Sequence, residues 1–185
     1  ERDIAAGMAE VIKCGFIKDS AILELLKNKS LKDIVNSKEL QLELIHRAVS
    51  VKAEVVSSDF KESFHREILN YGHTLGHAIE KHSDFELRHG EAVAIGMHFM
   101  AQLANIHSGL DSNIVALHLE ILQALKLPTK YSSDAWNELE ELIALDKKVK
   151  AGRVRFVALN EIGDCIRIED ATSDQMRLAY ERICE

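Results

Sequence analysis

Apolar residues recur at helical intervals along most of the chain, and this pattern predicts a mainly α-helical fold. One long helix is predicted from Lys38 to about Val56, and another from near His65 to Lys81. The segment 90–106 is apolar around most of its circumference, so we expect its helix to be central and buried. Further helices are predicted near the start of the chain and over residues 21–29, 115–125, 135–145 and 174–184.

Two short segments near the C-terminus alternate between polar and apolar residues, as strands do. Residues 153–159 and 165–170 flank a turn over 160–164 and predict a β-hairpin. The chain has one proline, and long helices depend on proline being rare. We therefore predict a single domain over residues 1–185, multi-helical with a small β-hairpin near the C-terminus.

Composition and charge exclude some classes of protein. The formal net charge of −7 argues against a nucleic-acid partner, which would need a basic surface. No apolar run is long enough to span a bilayer and no signal-peptide pattern is visible, so we expect a cytoplasmic protein without a membrane partner. The cysteines Cys14, Cys165 and Cys184 show no CxxC spacing, which fits a reducing compartment, and Cys14 is interpreted as a buried thiol.

A stripe of polar side chains is predicted on the second long helix. Its members are Arg66, Asn70, His73 and His77. On a continuous helix these four fall within an arc of about 60°. The opposite side carries the apolar residues Ile68, Leu75 and Ile79, which can supply a packing face. Unsatisfied buried polar groups cost roughly 1–3 kcal/mol each, so we expect the stripe to line a cavity, with a solvated helix face as the alternative.

The same segment contains candidate metal ligands. His73 and His77 have the i, i+4 spacing that can chelate zinc, and His89 stands just before the buried helix. Catalytic zinc typically has three protein ligands and one open position, and spacing alone does not choose among the candidates. Gly72 and Gly76 indicate that another backbone or a ligand comes close. The remaining histidines are predicted to be surface or packing residues: His46, His65, His82, His98, His107 and His118.

Five blocks of the sequence resemble those of 3-dehydroquinate synthases, in order and at matching separations. They are residues 7–17, 51–59, 66–80, 89–97 and 146–152. The resemblance covers nearly the whole chain, but only the C-terminal half of the family's usual length. It implies a dehydroquinate synthase-like C-terminal α-domain, with the N-terminal NAD-binding α/β domain absent from this chain.

The resemblance also implies roles for individual residues. The ligands of a catalytic Zn²⁺ (or Co²⁺) fall on Glu10, His73 and His89, which leaves a coordination position for substrate hydroxyls. Polar catalytic residues fall on Lys13, Glu62 and His77.

The substrate implied is 3-deoxy-D-arabino-heptulosonate 7-phosphate. Its carboxylate is placed near Lys52 and Arg66, and its phosphate near Asn70 and His77, with help from one of the two lysines at 147 and 148. The substrate-binding set is therefore Lys52, Arg66, Asn70, His77, Lys147 and Lys148.

The reaction implied is the second step of the shikimate pathway, which yields 3-dehydroquinate and phosphate while NAD removes and returns a hydride. A homodimer is expected for the full-length enzyme. The isolated chain is expected to fold and to bind a divalent metal with little or no turnover. The alternatives are another sugar-phosphate cyclase, such as a 2-deoxy-scyllo-inosose or valiolone-type synthase, and a non-catalytic helical metal-binding module.

Overall fold

Helices occupy most of the chain in the computed structural model, which describes residues 1–57, 64–148 and 154–185 but not the side chains of 64 and 146–148. The α-helices of these ranges are α1 (Arg2–Ile17), α2 (Ala21–Leu26), α3 (Leu31–Asn36), α4 (Lys38–Ser57), α5 (Phe64–Glu67), α6 (His73–His82), α7 (His89–Ser108), α8 (Ser112–Ala124), α9 (Trp136–Lys148) and α10 (Ser173–Glu181). The predicted mainly α-helical architecture is confirmed.

Helix α7 is the centre of the domain. It packs against α1, α6, α8 and α10 and against the first strand of the hairpin. Most of its residues are buried, as the apolar character of the segment predicts, because neighbours surround the helix on several sides. Even so, no helix in the described ranges combines the length and the apolar character needed to cross a membrane.

The predicted hairpin is present near the C-terminus. Strands β1 (Phe156–Glu161) and β2 (Asp164–Ile168) pair antiparallel, and Gly163 takes the positive φ of 85° at the turn. The last helix, α10, is capped by Thr172, whose hydroxyl accepts a hydrogen bond from the backbone N–H of Gln175. The hairpin covers one side of α7 and completes the core.

The continuous helix predicted from His65 to Lys81 is wrong. Helix α5 ends at Glu67, a 3₁₀ turn spans Ile68–Asn70, and Gly72, just before α6, has a φ of +78°. That left-handed conformation suits glycine and interrupts the helical hydrogen bonds. The four polar residues therefore do not share one helix face, although the predicted packing residues Ile68, Leu75 and Ile79 are all buried.

Helices α6 and α7 come close together at three glycines: Gly72, Gly76 and Gly96. A Cβ at Gly96 would overlap the carbonyl oxygen of Gly72, and a Cβ at Gly76 would lie 3.3 Å from the carbonyl oxygen of Ala92. The two backbones therefore approach more closely than side chains would allow. The predicted close approach at Gly72 and Gly76 is confirmed, and its partner is the backbone of α7.

Helix α3 is an element that the periodicity did not predict. It has six residues, too few for a helical repeat to show. Its start is marked instead by a capping box, in which Ser30 and Asp33 accept hydrogen bonds from each other's backbone N–H.

A buried polar network lies behind the turn at Gly72. The His118 ring stacks on Phe16 with centroids 3.5 Å apart, and its Nδ1 donates to the carbonyl oxygen of Ile114 at 2.7 Å. Because Nδ1 carries the proton, Nε2 accepts from the hydroxyl of Tyr71 at 2.9 Å. His118 is thus a packing residue, as predicted.

Stability is expected to fall as the pH falls below 6.5, partly because of His118. Burial lowers the pKa of its imidazole from 6.5 to about 3 in the folded chain. Between these values the unfolded chain binds a proton that the folded chain does not, and stability falls by about 1.4 kcal/mol per pH unit. Urea unfolding should therefore show a decrease of roughly 2 kcal/mol from this residue between pH 7 and pH 5.

The matched variant for this measurement is His118→Gln, whose side chain can still accept from the hydroxyl of Tyr71. His73 and His98, whose pKa values burial also lowers, contribute in the same direction and remain in the variant. The variant should lose the part of the decrease that belongs to His118. An unchanged pH slope would contradict the prediction.

Candidate metal centre

Glu10 lies on α1 at the bottom of a small polar site. Its Oε2 is 2.6 Å from Nζ of Lys52 on α4, and its Oε1 is 2.9 Å from Nζ of Lys13 one helical turn further along α1. Burial would raise the pKa of Glu10, but the two ammonium groups outweigh burial and lower it to about 2. The carboxylate is therefore ionised at neutral pH and held in a fixed orientation.

His73 begins α6, and its ring points at Glu10. Its Nδ1 lies 3.1 Å from the carbonyl oxygen of Tyr71, which can only accept, so the proton is on Nδ1. The unprotonated Nε2 then faces Oε1 of Glu10 at 3.6 Å. Burial, reinforced by the charge of Lys13, lowers the pKa of His73 to about 4, so the imidazole is neutral at pH 7. A neutral imidazole is the form that binds a metal ion.

His89 is the first residue of α7 and approaches Glu10 from the other side. Its Nε2 lies 3.9 Å from Oε1 of Glu10, and its Nδ1 lies 3.1 Å from Oε1 of Glu80 on α6. The start of α7 is fastened to α1 through Glu91, which accepts hydrogen bonds from the side chain of Arg2 and the backbone of Arg88. These contacts hold the two histidines and the glutamate in one place.

The ligand atoms of Glu10, His73 and His89 lie within 4.8 Å of one another. Two atoms bound to a tetrahedral zinc ion at 2.0–2.2 Å are about 3.4 Å apart, close to the 3.6 and 3.9 Å seen between the carboxylate and the imidazoles. Two imidazoles and one ionised carboxylate fit a catalytic zinc or cobalt ion with an open position.

His77 contributes to a different group. Together with Glu80 and His89 it forms a second set of possible ligands within 4.8 Å, more exposed than the first. The rings of His73 and His77 stand 5.3 Å apart at 89°, and no three-residue group in the described ranges contains both. The geometry thus favours His73 with His89 over the i, i+4 pair that spacing alone suggests.

The two lysines differ in their surroundings. Only 2% of the Lys13 side chain is exposed, and burial lowers its pKa although Glu10 opposes that effect. Lys52 is 43% exposed at the rim of the site, where a bound anion could reach it. The buried ammonium group of Lys13 therefore holds the carboxylate of Glu10 inside the protein, whereas that of Lys52 lies at the surface.

The structure does not bring every expected residue together. Arg66 and Asn70 are exposed, on a segment that contacts α1 and α4 rather than on the helix of His73. Glu62 lies outside the described residues, as do the side chains of Lys147 and Lys148. Their roles remain predictions.

Glu80 is a site residue that the sequence analysis missed. It lies seven residues after His73, which places both side chains on one face of α6. The spacing of His73, His77 and Glu80 is a usable signal.

The chain is similar to known proteins in sequence and in structure. The model of the 3-dehydroquinate synthase C-terminal family matches residues 7–149. Among curated relatives, the 3-dehydroquinate synthase of Corynebacterium diphtheriae is 46% identical over 181 residues, covering 98% of this chain and 50% of the relative. That of Thermobifida fusca is 43% identical, with 98% and 49% covered. The chain thus spans about half the length of the curated relatives it matches.

Solved structures show the same fold. The 2-epi-5-epi-valiolone synthase of Streptomyces hygroscopicus, with NAD⁺ and Zn²⁺ bound, matches 97% of this chain and 50% of its own, with a TM-score of 0.85 and 24% identity. A 2-deoxy-scyllo-inosose synthase complexed with carbaglucose-6-phosphate, NAD⁺ and Co²⁺ matches 97% of this chain and 51% of its own, with a TM-score of 0.79 and 25% identity.

Proposed function

This chain belongs to the 3-dehydroquinate synthase family, and we propose that it is the half of that enzyme which holds the metal ion and the sugar phosphate. The observation that carries the proposal is the convergence of Glu10, His73 and His89 from three helices, α1, α6 and α7. The reaction proposed is the conversion of 3-deoxy-D-arabino-heptulosonate 7-phosphate to 3-dehydroquinate and phosphate.

Charge around the site suits a substrate with two anionic groups. Lys13 neutralises Glu10, and Lys52 adds a second positive charge at the exposed rim. Lys52 can donate a charge-assisted hydrogen bond to the substrate carboxylate, and Arg66 offers a planar fork for the same group. We also propose that His77 contacts the phosphate, since its ring is exposed and lies 6.0 Å from that of His89.

A divalent ion held by Glu10, His73 and His89 would polarise a substrate hydroxyl and lower the free energy needed to ionise it. The chain's own residues prepare the site for that role. Lys13 and Lys52 orient the carboxylate, and the carbonyl oxygen of Tyr71 fixes the tautomer of His73. Holding the substrate in one conformer between these groups supplies part of the rate enhancement.

The NAD-binding part of the enzyme is proposed to lie outside this chain. We assign NAD to an N-terminal α/β domain of the same polypeptide, because the curated relatives are about twice as long as this chain. The two solved cyclases with the same fold contain NAD⁺ together with Zn²⁺ or Co²⁺. We further propose that the full-length enzyme is a homodimer located in the cytoplasm.

A related sugar-phosphate cyclase is the second candidate, because the matching solved structures are a valiolone synthase and a deoxy-scyllo-inosose synthase. Their identity to this chain is 24–25%, whereas the two curated 3-dehydroquinate synthases reach 43–46%. The higher identity favours the dehydroquinate reaction.

Phosphate release by the full-length protein tests the function. With NAD and Zn²⁺, it is expected to release phosphate from 3-deoxy-D-arabino-heptulosonate 7-phosphate and not from glucose 6-phosphate, which lacks the carboxylate. The 185-residue chain alone is expected to give little or no turnover, because NAD is held elsewhere. Preference for glucose 6-phosphate would favour the second candidate. Robust turnover by the isolated chain would refute the proposal that NAD is held by a separate domain.

A further inference from the structure

We propose that Glu80 is a positioning residue that orients the imidazole of His89 toward the metal ion, an inference that rests on the proposed function. Oε1 of Glu80 lies 3.1 Å from Nδ1 of His89. A carboxylate oxygen accepts, so Nδ1 carries a proton, and Nε2 is the ring nitrogen whose lone pair can bind an ion. That lone pair belongs to the atom that faces Glu10 at 3.9 Å.

His89 needs such an anchor more than His73 does. The side chain of His89 is 46% exposed and stands at the first position of α7. The side chain of His73 is 12% exposed, and a backbone carbonyl holds its Nδ1. Of the two imidazoles, His89 is the one whose orientation depends on another side chain.

Glu80 is itself held in place. Its side chain is only 15% exposed, and it lies on the same face of α6 as His73, two turns further along. The close contact of α6 with α7 through Gly72 and Gly96 brings that face next to the start of α7. A carboxylate on the distal nitrogen of a histidine ligand fixes its tautomer and raises its basicity.

The same carboxylate belongs to the second possible ligand group, with His77 and His89. A ring nitrogen that donates its proton to Glu80 cannot bind an ion at the same time, and 3.1 Å is a hydrogen-bond distance. The structure therefore assigns Glu80 to the orientation of His89, and within the described residues it assigns one ion to Glu10, His73 and His89.

Titration of the 185-residue chain with Co²⁺ tests this assignment. The variants are Glu80→Ala, which removes the acceptor, and Glu80→Gln, which keeps an acceptor oxygen without the charge. The matched control is Glu138→Gln, because Glu138 also faces a histidine, His82, at 3.5 Å but lies outside the metal centre. The dissociation constant is measured by chelator competition, the stoichiometry from the titration, and the ligand geometry from the visible absorption of bound Co²⁺.

One Co²⁺ per chain is expected in the wild type. Glu80→Ala should raise the dissociation constant about 10- to 100-fold and alter the Co²⁺ absorption. Glu80→Gln should give a smaller increase, the control should match the wild type, and all variants should unfold at the same temperature.

Three results would overturn the inference. In the first, Glu80→Ala keeps the affinity and absorption of the wild type, whereas His73→Ala loses Co²⁺ binding. That result would exclude the role of Glu80 and leave the proposed metal centre intact. Two ions in the wild type and one in Glu80→Ala would make Glu80 a ligand. A wild-type chain that takes up no Co²⁺ would remove the metal centre and the role of Glu80 together.

Discussion

Replacing His73 with alanine is expected to weaken zinc binding at least about 100-fold and to abolish turnover by the full-length enzyme. Zinc sites with four protein ligands bind with about 10–16 kcal/mol, so one ligand supplies roughly 3 kcal/mol. His73 is the more buried of the two imidazoles, and the backbone of Tyr71 fixes its ring.

The measurement is zinc content after dialysis against a chelator, together with phosphate release. His46→Ala is the matched control, because His46 is exposed on α4 and lies outside both possible ligand groups. Glu10→Gln should lose zinc as His73→Ala does, since an amide is a weaker ligand than a carboxylate. Equal zinc content in the wild type, His73→Ala and Glu10→Gln would disprove the proposed ligand set.

Gly96→Ala is expected to destabilise the fold by roughly 3 kcal/mol or more, because overpacking against a rigid neighbour is costly. The added Cβ would overlap the carbonyl oxygen of Gly72, which is backbone and cannot move aside as a flexible side chain can. Helix propensity works in the opposite direction, because alanine is favoured over glycine in a helix by about 1 kcal/mol. The steric overlap should outweigh the gain in helix propensity, so the variant should be less stable than the wild type.

Gly7→Ala is the matched control for this substitution. Gly7 also lies in a helix, α1, but a Cβ there would meet nothing within 4 Å. This variant should be more stable than the wild type by about 0.5–1 kcal/mol, because only the helix propensity changes. Urea unfolding of both variants compares the two effects directly. A stable Gly96→Ala protein would show that α6 and α7 can separate without cost.

The fold was predictable where one helix is buried on several sides. The apolar segment 90–106 predicts α7 because its neighbours require apolar residues around the whole circumference. The break before α6 was not predictable from periodicity, since the helical spacing of apolar residues continues across Gly72. Gly72 was recognised as a point of close approach, but its positive φ is a property of the backbone that spacing does not encode.

The candidate site was only partly predictable from residue spacing. His73 and His77 are neighbours in sequence, whereas the geometry joins His73 to His89 and to Glu10, which lie on other helices. Contacts between separate helices depend on packing, so spacing left the ligands open and the family resemblance supplied them. Glu80 was missed for the same reason, because its partner is the first residue of α7.

The glycine contact between α6 and α7 has a consequence for the width of the site. His73 and Glu80 are fixed to α6, His89 is fixed to α7, and Gly72 and Gly96 set the separation of the two helices. The contact therefore acts as a spacer, and a single methyl group added there would widen the gap between the two imidazoles. Glycines that bind no ion themselves thus help to set the distance between the candidate ligands.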